Sequence, residues 1–363
     1  MAHQKHLLQK WFPHTSTPFI ANAPMFGFAD SHLATAVTKA GGLGFIGGGF
    51  DFAKESDQLT KLDDQLSKAR AELGAIAPNK LSIGVGFITF KPTGFVENVI
   101  PLIQSHRLAA VWLSFPEFDA DHLPLIEGIR QAREKSNWDV KIFVQTGTVA
   151  AAMEAVKQGA DVVVVQGSDA GGHQWAQGAS LISLVPEVRD SLVEAGVASH
   201  TAILAAGGIV DGRGCVAALG LVPSDDILLK IGADGVVMGT RFVAATECPA
   251  PSLIKQAILS GSDGATSTVK SIRHDVFQST DVFPRQYDGR AVIGISYDES
   301  KSGASDEEII QRYKDAIKNG DDYRRTVWAG ASIGGIKEEL SASDLIKGVQ
   351  QEVKSVVNRL KSI

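Results

Sequence analysis

Eight short apolar runs, separated by amphipathic stretches, occupy the first 250 residues, and none of the eight alternates polar with apolar side chains. A strand with one wet face alternates, so runs such as Val162-Val163-Val164-Val165 belong to strands covered on both sides, as in parallel sheets. The runs are Pro18 to Pro24, Leu43 to Gly48, Ser82 to Phe87, Ala109 to Phe115, Lys141 to Gly147, Asp161 to Gly167, Ala202 to Gly208 and Asp234 to Thr240. Between them lie helical patterns, for example Leu59, Leu62, Leu66, Ala69 and Leu73 at spacings of three and four. Eight such units over about 250 residues predict an α/β chain folded as a (β/α)8 TIM barrel, with a doubly wound open sheet as the structural rival.

The rhythm breaks after Glu247. Residues 1–260 are expected to form the barrel, and 261–340, irregular and polar, a cap beside its mouth that carries substrate contacts. Residues 341–363 open with a Ser341-x-x-Asp344 capping pattern and place Leu345, Val349, Val353, Val356 and Leu360 on one face. They predict a helix packed on the barrel's outside.

Barrel enzymes work at the C-terminal ends of their strands, and the unusual residues of this chain collect there. The first run ends in Ala23-Pro24-Met25, the second in Gly47-Gly48-Gly49, the third in Gly84-Val85-Gly86 and the fifth in Gln145-Thr146-Gly147. The sixth opens into Gln166-Gly167-Ser168-Asp169-Ala170-Gly171-Gly172-His173. The seventh ends in Gly207-Gly208 and the eighth in Gly239-Thr240. So many small or amide residues suit a flat ligand lying against backbone. The last two ends gather backbone N–H groups where barrels commonly bind phosphate. His173, on a glycine loop facing that ligand, is the candidate general base, because a neutral imidazole accepts a proton near physiological pH. Asp169 and Gln166 are candidates for orienting the loop or binding ligand.

Several readings fail. Gly42-x-Gly44-x-x-Gly47 matches a dinucleotide fingerprint, but a helix precedes it and a strand runs through it, the reverse of the required context. No second histidine or carboxylate accompanies His173 at ligand spacing, so no metal site is expected. The two cysteines, Cys215 and Cys248, lie far apart, and neither a disulfide framework nor a CxxC is present. A net charge of -6 gives no basic footprint for nucleic acid. No run reaches the roughly 18 apolar residues of a membrane span. The first residues lack a signal-peptide core, and Lys361-Ser362-Ile363 is not the peroxisomal Ser-Lys-Leu. The expectation is a soluble cytoplasmic protein, with self-association left open.

At the residues just named the chain resembles the nitronate monooxygenases, most closely the fungal type. The likeness runs over nearly the whole length: APMFG, AGGLGFIGGG, GVGF, QTGTV, GADVVVVQGSDAGGH, AAGGIVDGRG, GADGVVMGTRF and the tail's QYDGRAV. The resemblance implies FMN at the barrel mouth, its phosphate near Gly207, Gly208, Gly239 and Thr240. Ala23, Pro24, Met25, Gly86 and Gln145 would line its isoalloxazine and ribityl side, with Gln166, Gly171 and Gly172 nearby. It implies His173 as catalytic base for a nitroalkane α-proton, and oxidation of the nitronate by flavin and O2 to a carbonyl compound and nitrite. The alternative within the same superfamily is an FMN-dependent NAD(P)H reductase of enoyl-ACP or quinone type.

One stretch departs from that pattern. Val222 to Ile231 is inserted between Leu221 and Gly232, where relatives run straight on. It should fall at the face opposite the active site and leave catalysis alone. His274, Asp275, Tyr287, Tyr323 and Trp328 are the cap's candidates for substrate choice, each of them equally suited to packing.

Overall fold

The computed structural model describes residues 7–74, 80–222, 229–230, 232–280 and 282–361. Its strands, in chain order, are β1 (Ile20–Asn22), β2 (Phe45–Gly49), β3 (Leu81–Ile88), β4 (Leu108–Ser114), β5 (Lys141–Thr146), β6 (Val162–Gln166) and β7 (Gly172–Trp175). They continue with β8 (Ala202–Ala206), β9 (Leu221–Val222), β10 (Leu229–Lys230), β11 (Gly235–Met238), β12 (Thr268–Ser271) and β13 (Tyr287–Val292). Eight of them form one parallel sheet in the order β1-β11-β8-β6-β5-β4-β3-β2. A parallel bridge from Ala21 to Leu43 joins its two edges, so the sheet closes into the barrel expected from the eight apolar runs.

The barrel wall is pinned at its N-terminal end by a repeated device. Gly159-Ala160-Asp161 and Gly232-Ala233-Asp234 precede β6 and β11. Asp161 Oδ2 accepts from the Ile142 N–H at 2.8 Å, and Asp234 Oδ2 from the Ile203 N–H at 2.8 Å. Each carboxylate thus ties the start of the neighbouring strand, and Arg189 Nη2 stands 2.9 Å from Asp234. Inside the barrel the filling is aromatic. Trp112 and Phe143 stack with centroids 6.2 Å apart, and Phe45 meets both edge-on at 5.2 and 5.3 Å. Phe12, which follows a short helix (Leu7–Trp11), closes the lower end against Phe19 and Phe143, each 6.0 Å away.

Side-chain caps set the outer helices. Asp30, Ser56, Thr148 and Asp211 each accept a backbone N–H at the first turn of Ser31–Lys39, Asp57–Leu73, Val149–Gln158 and Gly212–Leu219. The last helix, Ala342–Leu360, is capped by Ser341 as its sequence pattern predicts. It packs between Gly212–Leu219 and Ser31–Lys39, which makes it the barrel's own eighth helix. The chain leaves the barrel after Val243, builds the cap, and returns to finish the wall.

The cap is more regular than its sequence suggests. β12, β13 and β7 form a three-stranded antiparallel sheet, surrounded by helices that include Arg273–Gln278 and Asp306–Lys318. β7 begins at Gly172, so the glycine segment read as a loop carries His173 on a strand paired with Gly289. The insertion forms a small hairpin in which β9 and β10 pair antiparallel; residues 223–228 and 231 lie outside the described ones. Among the described residues no helix is long and apolar enough to cross a membrane.

Candidate active site

Most of the residues expected to hold a ligand line one cavity of about 390 Å³ at the barrel mouth, under the cap; Asp169, Gly47, Gly48, Gly84 and Gly147 do not. Ala23, Pro24 and Met25 come from the end of β1, Gly86 from β3, Gln145 from β5 and Gln166 from β6. Gly171, Gly172 and His173 enter from the cap side, while Gly207, Gly208, Gly239 and Thr240 close the end beneath β8 and β11.

Close approach, rather than pliancy, accounts for several of the glycines. A Cβ at Gly86 would lie 2.3 Å from Pro24, and one at Gly171 would lie 2.5 Å from the backbone of Ala329 and Gly330. Gly207 and Gly208 have φ of 113° and 72°, a region closed to most side chains. The Gly171 contact locks the β6–β7 turn to the cap, helped by the Ala331 N–H donating to the Asp169 carbonyl at 2.9 Å. Thr240 works likewise, its Oγ1 accepting from the Gly330 N–H at 3.0 Å.

A chain of amides fixes the backbone beneath His173. Gln145 Nε2 donates to Gln166 Oε1 at 2.9 Å, and Gln166 Nε2 donates to the His173 carbonyl at 3.0 Å. The imidazole stacks on Phe283 with centroids 3.7 Å apart and planes 11° from parallel. Trp328 approaches within 4.8 Å. His173 Nε2 lies 2.9 and 3.1 Å from the two oxygens of Asp275, whose side chain is only 1% exposed. The carboxylate can accept a proton only from N–H, so it selects the tautomer protonated at Nε2 and leaves the lone pair on Nδ1.

The cap candidates separate accordingly. Asp275 and Trp328 touch His173. His274 is buried, with Nε2 3.2 Å from the Val269 carbonyl, and burial holds its imidazole below the usual histidine range. Tyr287 donates its hydroxyl to the Pro116 carbonyl at 2.9 Å and ties cap to barrel. Tyr323 is 71% exposed and lies outside the cavity. Nothing in the sequence links Asp275 to His173, from which it stands 102 positions away. It also left Phe283 unremarked.

Among the described residues that line the cavity, His173 is the sole ionisable side chain; none is Asp, Glu, Lys or Arg. No group of three or more His, Cys, Asp and Glu side chains among the described residues is placed to hold a metal. Trp112 forms part of the cavity lining, and its indole Nε1 has no hydrogen-bond partner. The arrangement suits an elongated ligand with one end on glycine backbone and a proton acceptor above its middle.

Comparison with known proteins follows the same direction. The family model described as nitronate monooxygenase matches residues 129–352. A nitronate monooxygenase of the fungus Neurospora crassa is 40% identical over 98% of this chain and 94% of its own length. Among solved structures, FabK from Thermotoga maritima superposes with a TM-score of 0.73 at 22% identity, covering 99% of both chains. A nitroalkane oxidase from Streptomyces ansochromogenes gives 0.70 at 23% identity, covering 97% of this chain and 99% of that one. At such identities these structures speak to the fold alone.

Proposed function

The chain belongs to the nitronate monooxygenase family and is an oxidoreductase; from that premise we propose that it binds FMN in the mouth cavity and oxidises alkyl nitronates, and neutral nitroalkanes, with O2 to carbonyl compounds and nitrite. His173 is the general base. The observation that carries this reading is the one ionisable side chain among the described residues lining the cavity, held by a buried carboxylate through one ring nitrogen.

The cavity fits the cofactor on three counts. Its volume lies in the range of small-molecule sites, roughly 300–1,000 Å³. Its end at Gly207, Gly208, Gly239 and Thr240 offers backbone in which the first two residues need positive φ. Its lining includes Trp112 and the amides of Gln145 and Gln166. In this reading the glycine end holds the phosphate, while Ala23, Pro24, Met25, Gly86 and Gln145 line the ring and ribityl side, with Gly171 and Gly172 close by. Residues 1–260 with the helix of 341–363 carry the cofactor, and 261–340 carry the substrate side. Bound there, the flavin supplies electron transfer and O2 chemistry that side chains lack.

The protein's own part is proton chemistry. Asp275 accepts from Nε2–H, and the Nδ1 lone pair takes the α-proton of a nitroalkane. The developing negative charge spreads onto the nitro oxygens, so a single modest base is enough. Gln145 and Gln166 hold the backbone of the base, and Phe283 with Trp328 holds its ring plane. A nitronate arrives without that proton and does not need the base.

Anaerobic mixing of the flavin-loaded protein with ethyl nitronate, nitroethane, NADH and NADPH tests the proposal, together with chromatography of the released cofactor. The expected result is FMN, bleached by nitronate and nitroalkane. Bleaching by NAD(P)H alone would replace the proposal with the reductase of enoyl-ACP or quinone type, and FAD would refute the cofactor assignment.

A further inference from the structure

Four consecutive strand ends of the barrel mouth carry phenylalanines where the opposite side carries glycines. Phe26 follows β1, Phe50 follows β2, Phe90 follows β3 and Phe115 follows β4, and all four line the cavity. The cap adds Phe283 from above. These rings touch in sequence. Phe26 and Phe50 lie 5.6 Å apart, Phe50 and Phe90 6.4 Å, Phe90 and Phe283 5.0 Å, and Phe283 stacks on His173 at 3.7 Å. At the outer end Phe26 and Phe50 are 45% and 41% exposed, while Phe90 is buried. A continuous apolar path therefore runs from solvent to the base.

Resting on the nitronate reading, we propose that this aromatic path seats the substrate's carbon chain and selects nitronates with apolar alkyl or arylalkyl tails over those bearing a carboxylate. A tail leaving the carbon near His173 along this path meets ring faces, and no described residue of the cavity wall is Lys or Arg. Burying an unpaired carboxylate there is costly, whereas each methylene laid on the rings gains the ordinary transfer energy. Lys91 places Nζ 5.9 Å from the Phe90 ring centroid and does not line the cavity.

The test is kcat/KM by oxygen consumption for the nitronates of nitroethane through nitrohexane and of 3-nitropropionate. The transfer energy of a buried methylene predicts a rise of about three- to fourfold per added carbon until the path is filled. The carboxylate-bearing nitronate should fall at least about tenfold below the nitrobutane nitronate. Phe90→Lys should narrow or invert that gap by favouring the carboxylate and penalising the hexyl chain. A flat chain-length series, or a preference for the carboxylate in the wild-type protein, would overturn the inference; loss of such a preference in Lys91→Ala would assign recognition to Lys91 instead. Absence of turnover with every nitronate would refute the activity itself, and this inference with it.

Discussion

Replacing Asp275 by asparagine changes one oxygen to nitrogen and tests how the base is held. The carboxylate meets His173 Nε2 at 2.9 and 3.1 Å, and its remaining side-chain contact is a long one, 3.4 Å from Thr280 Oγ1. A hydrogen bond to a charged group contributes about 1.5–3 kcal/mol, which corresponds to roughly 10- to 150-fold in rate. Asparagine can also turn its NH2 toward Nε2, and the ring proton then moves to Nδ1, where it blocks the lone pair that should accept the α-proton. The combined loss for neutral nitroalkanes should approach the full general-base contribution, about 10²–10⁴-fold. Ethyl nitronate should be oxidised within about threefold of the wild-type rate, because its reaction has no base-dependent step. The assay is anaerobic stopped-flow reduction with nitroethane, 1,1-dideuteronitroethane and ethyl nitronate, with flavin content and melting temperature measured on the same samples. Slower proton abstraction should expose a larger deuterium effect, which a loosened fold would not produce. Equal losses on both substrate forms with flavin retained, or no loss on nitroethane, would refute the positioning role.

Three further outcomes are expected. His122 is fully buried against Thr89 Oγ1 at 2.7 Å, and burial lowers its pKa from 6.5 to about 3. Its stabilising contribution is therefore present above pH 6.5 and is lost as pH falls toward 3, by about 2 kcal/mol at pH 5; His122→Gln should remove that part of the pH dependence in urea midpoints compared at pH 7 and 5, and identical slopes would contradict it. Gly171→Ala must displace the Ala329–Gly330 backbone, whereas a Cβ at Gly172 meets nothing within 4 Å and suffers only its φ of 72°. The first should lose cofactor and the second should lose about 1–2 kcal/mol of stability, as read by flavin retention and melting; equal behaviour would show that the 329–330 contact does not hold the site. Excising Val222 to Ile231 rejoins ends already in contact, since a Cβ on Gly232 would lie 2.6 Å from the Gly220 nitrogen. Turnover should be kept while thermal stability changes, and a folded product that cannot bind FMN would show that β11 depends on the hairpin.

The barrel was legible because its strands obey a local rule. Val162 to Val165 could only be a strand covered on both faces, and Pro24, Gly86, Gln145, Gln166, Gly207, Gly208 and Gly239 at strand ends became one cavity wall once the sheet closed. The cap was not legible for the opposite reason. β13 does alternate, with Tyr287, Gly289 and Ala291 inward, but glycine and charged neighbours make so short a run look like loop. Its partner β7 precedes it by more than a hundred residues. Gly171 and Gly172 were expected in a loop facing a ligand, while their crowding and φ serve a strand start and a backbone contact. The His173–Asp275 pair depends on the same long-range pairing, and nothing in the spacing of the chain announces it. Phe26, Phe50, Phe90 and Phe115 each follow a strand in the sequence, but their ring-to-ring continuity with Phe283 is a property of the closed barrel.

The eighth helix has a consequence for how the protein is made. Roughly 100 residues separate Val243 from Ala342, so at common translation speeds of 5–20 residues per second the wall stays open for about 5–20 s after the eighth strand has left the ribosome. During that interval the faces of Ser31–Lys39 and Gly212–Leu219 that will hold Ile346, Val349 and Val353 are bare to solvent or to any chaperone present. Val349 and Glu352 are also the residues against which Gly212 packs, its N–H bonding Glu352 Oε2 at 2.7 Å. A late stop or frameshift beyond the cap would thus yield a nascent chain with every strand and His173 in place but with an apolar seam down one side. Such a product is a substrate for quality control rather than a slower enzyme.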